Sequence, residues 1–128
     1  MQKKYVAWLA VVTLVLFATQ AFAEYNKDAV VKTMQGNMAN LGAIKDAAGK
    51  GDFFTAADKL MEVAKAFKSL DAVTPVKGVK ADWDRIHGAL IKAAFKGIGA
   101  CGEGDAAKVN AALGEIVGLM KEGHQLFK

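Results

Sequence analysis

Gly49-Lys50-Gly51-Asp52 and Gly102-Glu103-Gly104-Asp105 are one phrase, Gly-x-Gly-Asp, written twice at an offset of 53 residues. Each is a helix stop followed by a helix start. Glycine reaches the left-handed conformation that closes a helix without a Cβ clash. The aspartate carboxylate then accepts hydrogen bonds from the unpaired amides that open the next helix. The likeness runs past the turn, because Leu60, Glu62 and Val63 recur as Leu113, Glu115 and Ile116 at the same offset. The chain therefore reads as two similar helical hairpins joined end to end.

Working outward, four segments carry helical periodicity and none carries sustained strand alternation. The first, Lys27 to Ala48, steps through Val31, Met34, Met38, Leu41 and Ile44. The second, Phe53 to Leu70, has Phe53, Ala57, Leu60, Ala64 and Phe67 on one face. The third, Val79 to Gly99, carries Trp83, Ile86, Leu90, Ala94 and Ile98. The fourth, Ala106 to Phe127, carries Val109, Leu113, Ile116, Met120, His124 and Phe127. Between the hairpins, Asp71 to Lys80 contains the chain's single proline, Pro75, and Gly78, which break helix. Short links place consecutive helices antiparallel, so the predicted fold is an all-α, up-down-up-down four-helix bundle.

The bundle does not begin at residue 1. Lys3 and Lys4 precede an apolar run, Val6 to Ala18, broken only by Thr13, and Ala21-Phe22-Ala23 has the small-x-small pattern of a signal-peptidase site. That run, about 13 residues, is short for a hydrocarbon layer roughly 30 Å thick. Residues 1–23 are therefore expected to be a signal peptide and residues 24–128 the mature domain, exported to the periplasm and off the membrane after cleavage. Loss of Lys3 and Lys4 lowers the formal charge from +4 to +2. The cations are scattered and Arg85 is the sole arginine. Nucleic acid, which needs clustered cations and aromatic platforms, is not an expected partner. Cys101 is the only cysteine, so no internal disulfide can form; it reads as a buried small hydrophobe or a thiol able to link two chains.

Ordinary catalytic sets find no local signature. The chain has one serine, Ser69, and two histidines, His87 and His124, with no nucleophile elbow or phosphate-binding loop. No enzymatic activity is expected. A di-iron bundle needs paired Glu-x-x-His motifs, and here only Asp84-x-x-His87 has a related spacing. Both of its residues are expected on the solvated side of the third helix. His124 instead lies on an apolar stripe, one turn after Met120, where a partly buried helix-end histidine would also gain from the helix dipole.

The stretch from Gly104-Asp105 through Leu113-Gly114 to His124-Gln125-Leu126-Phe127-Lys128 resembles the closing helix of the cytochrome c-prime family. Members carry Gly-Asp before that helix and Cys-x-x-Cys-His near its end, followed by an aromatic and a basic residue. Ala29 to Met34, Asn37-Met38 and Leu41-Gly42-Ala43 are similar to the family's first helix, and Trp83 stands where its third helix often has tryptophan. The resemblance spans the mature chain, with departures. The segment that should hold both cysteines is Met120-Lys121-Glu122-Gly123-His124, so no covalent haem is expected. Val31 stands where low-spin relatives have a methionine ligand, and Met34 follows one turn on in a different register. Lys27 takes the place of the family's first-helix arginine.

What the resemblance implies is a non-covalent haem, with His124 as iron ligand and Met120, Gly123, Val31 and Met34 around the cofactor. The end of the b-type four-helix cytochrome is similar to His124-Gln125 and the residues after it. Such a protein would serve electron transfer or small-gas binding, with an unidentified redox partner, and relatives often form homodimers. The alternative is a haem-free bundle, its pocket collapsed or repacked around Met120, that acts as a binding or interaction module.

Overall fold

The computed structural model describes residues 27–75 and 77–127. The signal-peptide segment and its expected cut before Glu24 lie outside the described residues. Four helices follow in order: α1 (Lys27–Gly49), α2 (Phe53–Lys68), α3 (Lys80–Glu103) and α4 (Ala106–Phe127). Each packs on the next and α4 closes back on α1, giving the antiparallel up-down-up-down bundle expected from the sequence. The seam between α4 and α1 is the least intimate of the four.

The two Gly-x-Gly-Asp turns fold alike. Gly51 and Gly104 take left-handed φ values of 76° and 67°. The amides of Asp52 and Asp105 donate back to Ala47 O (2.8 Å) and Ala100 O (3.1 Å), the closure of a Schellman cap. Each aspartate then caps forward: Asp52 Oδ1 accepts from Thr55 N–H and Asp105 Oδ1 from Lys108 N–H, both at 3.1 Å. The hydrogen bond from Thr55 holds the Asp52 carboxyl below its ordinary pKa. Helix α3 runs past Gly99, where periodicity had ended it, to Glu103, because the left-handed residue is Gly104.

At the other end of the bundle, the link after α2 is tied down by side chains. Trp83 Nε1–H donates to Leu70 O (2.9 Å) and Lys80 Nζ to Asp71 O (2.6 Å). Gly78 (φ 86°) presses on the end of α4 so closely that a Cβ would stand 2.8 Å from Leu126 O. Pro75, in the same link, is buried.

The core is filled by Ile44, Leu60, Val63, Phe67, Ile86, Leu90, Val109 and Ile116, each 0–1 % exposed. At roughly 25 cal/mol per Å² of apolar surface removed from water, these stripes dominate the stabilising side of folding. Cys101 is buried near the turn end, as one of its two readings required, and desolvation pushes its thiol pKa up.

Helix α1 departs from its expected register. Its buried line runs Val30, Asn37, Leu41, Ile44, Ala47 and Ala48, whereas Val31 and Met38 are 41 % and 58 % exposed. The helix is turned so that Val31, Met34 and Met38 border the α1–α4 seam rather than fill the core.

Candidate functional site

Where α1 and α4 part, a cavity of about 400 Å³ opens to solvent. Helix α1 contributes Val30, Val31, Met34, Gln35 and Met38. Helix α3 contributes Trp83, Ile86, His87 and Leu90, and α4 contributes Met120, Gly123, His124 and Phe127. All five residues that the sequence nominated around a cofactor, namely His124, Met120, Gly123, Val31 and Met34, border this one space. It lies at the end of the bundle remote from the Gly-x-Gly-Asp turns. Met120, 9 % exposed, packs into one wall, as the haem-free alternative expects, and a space of about 400 Å³ remains beside it.

Aromatic edges brace the α3 side. Trp83, held by its bond to Leu70 O, meets the His87 ring at 4.4 Å and the Phe127 ring at 5.0 Å, both edge-on. Phe67 stands 5.9 Å from the His87 ring, tilted by 32°. On α4, the absence of a side chain at Gly123 leaves room, since a Cβ there would meet Ile86 Cγ2 at 3.5 Å and the Phe127 ring at 3.8 Å, ordinary contact distances.

His87 corrects the sequence reading. Asp84 is exposed as expected, but His87 is only 2 % exposed. His87 is four positions after Trp83, which puts both on one helix face, while Asp84 falls on the outer one. The signal was present in the spacing, since His87 continues the stripe of Trp83, Leu90 and Ala94. Burial depresses its pKa; the fields of Asp71 and Asp84 and the Trp83 carbonyl oppose that shift, and Lys80 adds to it. Nδ1 has no hydrogen bond of proper geometry, so the cavity region holds a neutral imidazole with an unsatisfied nitrogen. Asn37 is a second buried polar residue, 1 % exposed with Nδ2 unpartnered, and periodicity alone did not single it out.

His124 is exposed at the residue level while bordering the cavity, more open than the partly buried position expected of it. It can present a nitrogen to a group bound there. Among the described residues, no cluster of three or more His, Cys, Asp or Glu could hold a metal ion. No helix of the described residues is long and apolar enough to cross a membrane. Ser69 Oγ is spent on the end of α2, donating to Ala66 O at 2.6 Å. The arrangement suits holding a molecule by apolar contact, with few polar anchors, as small-molecule sites of this volume do.

Comparison with protein families, curated proteins and solved structures finds no match for the chain.

Proposed function

We propose that this protein is an exported bundle of the cytochrome c-prime kind that binds a small apolar ligand reversibly, as a binding module without covalent haem. The observation that carries this reading is the open 400 Å³ cavity at the α1–α4 seam. Its walls are mostly apolar side chains, and its polar groups are Gln35 and the imidazoles of His87 and His124. Apolar surface left in contact with water, including Val31 and Met38, gains about 25 cal/mol per Å² when an occupant covers it. A fluorescent apolar probe, N-phenyl-1-naphthylamine, tests the reading. Wild type should bind it, and Gly123→Leu, which sends a branched side chain into the space, should not. Equal binding by both would place the probe elsewhere and sink the proposal.

One observation favours haem as the occupant: His124 borders the cavity one turn beyond Met120, where an iron ligand would stand. A non-covalent porphyrin would meet apolar walls and the His124 imidazole there, with no cysteine beside it. Bound haem would supply a redox-active iron able to take electrons or small gases. The chain's own part is to exclude water with Ile86, Leu90 and Met120, and to hold a nitrogen of His124 toward the occupant. A haemin titration of wild type and His124→Ala decides the point. A defined Soret band in wild type that His124→Ala abolishes supports the ligand role, and identical titrations remove it. Acid–acetone should extract all haem from the polypeptide.

A further inference from the structure

The chain has five methionines, of which Met1 lies outside the described residues. Three of the other four, Met34, Met38 and Met120, border the same cavity, and so does His124. The spacing is regular. Met34 and Met38 are one turn apart on α1, and Met120 and His124 are one turn apart on α4. Residues four apart share a helix face with Cβ atoms about 5–6 Å from each other. Because α1 and α4 are antiparallel neighbours, two such pairs look across one seam. The geometry points to a monovalent copper site in this cavity, formed by the thioethers of Met34, Met38 and Met120 and the imidazole of His124.

Donor chemistry selects the ion. Thioethers are soft, neutral ligands that favour Cu(I), while Zn(II), Mg(II) and Ca(II) want thiolate, carboxylate or carbonyl oxygen. No carboxylate and no cysteine lines the cavity. With uncharged donors the whole ionic charge stays in the apolar site, so a monocation suffers far less than a dication from lost hydration. The site also accounts for an oddity of packing. Met38 is 58 % exposed on a helix whose core line runs past it, and its flexible thioether can swing to the seam. This inference rests on the reading of the cavity as a ligand site.

An anaerobic titration of the mature chain with Cu(I), against the chromophoric chelator bicinchoninate, tests it. One equivalent should be withdrawn from the chelator. Met34→Leu, Met38→Leu and Met120→Leu, which conserve volume, should each weaken binding at least tenfold. Met61→Leu on α2 and Cys101→Ala near the opposite end should leave it unchanged. X-ray absorption of the complex should report a sulfur-dominated shell. Copper left wholly on the chelator, a shell of nitrogen and oxygen alone, or binding lost with Cys101 but indifferent to the three methionines would overturn the copper site. Binding of N-phenyl-1-naphthylamine is read in parallel. Wild type that takes the dye but not copper defeats the copper site alone, while wild type that takes copper but not the dye supports it and defeats the organic-ligand reading.

Discussion

Gly123 and Gly97 are both buried helical glycines, and the same substitution at each should move stability in opposite directions. At Gly123 an alanine Cβ would meet Ile86 Cγ2 at 3.5 Å and the Phe127 ring at 3.8 Å, ordinary contact distances. Gly123→Ala therefore gains about 0.5–1 kcal/mol from reduced backbone entropy in the unfolded chain. A buried methyl adds up to about 0.8 kcal/mol. At Gly97 the added Cβ would stand 2.9 Å from Leu60 Cδ1 and 3.4 Å from Ala112 Cβ, where α2, α3 and α4 meet. Leu60 is fully buried and has nowhere to go. Overpacking of that kind costs about 1–3 kcal/mol, which exceeds the same entropic gain. The two variants should differ by about 2 kcal/mol, or roughly 8–16 °C in Tm for a domain near 100 residues. Thermal melts followed by circular dichroism measure the gap. If both alanines shift the melt in the same direction by similar amounts, the closeness of α2 to α3 at Gly97 is not the constraint argued here.

Three further outcomes are expected. His87 is held neutral by burial, so its contribution to stability is full above pH 6.5, its ordinary pKa, and is lost as pH falls below that value. His87→Phe should flatten the dependence of Tm on pH below 6.5, and parallel curves for variant and wild type would contradict the buried neutral imidazole. Trp83→Phe removes the donor to Leu70 O and should cost about 1–3 kcal/mol in urea melts; an unchanged midpoint would mean that water replaces the bond. The intact mass of periplasmic protein should correspond to a chain starting at Glu24, and a chain retaining Met1 would refute cleavage after Ala23.

Local signals in the sequence were enough for the fold. Apolar residues at helical spacing and two Gly-x-Gly-Asp turns act over a few residues, and short antiparallel links then admit little besides a bundle. Of the nominated residues, the structure shows that His124 and its four companions, from two helices far apart in sequence, border one cavity. What the sequence could not decide was rotation. Helix α1 has apolar residues on neighbouring lines, and only packing against α2 determines that Val30, Leu41 and Ile44 go inward while Val31 and Met38 border the seam. The burial of His87, expected on the solvated side, follows from the interlock with Trp83 and Phe67, which requires α2 and α3 to be docked. The glycines are the plainest case. Gly97 and Gly123 are equivalent as letters within helical segments, and their opposite roles come from what stands opposite each across the bundle, which is a property of assembled helices and of no single one.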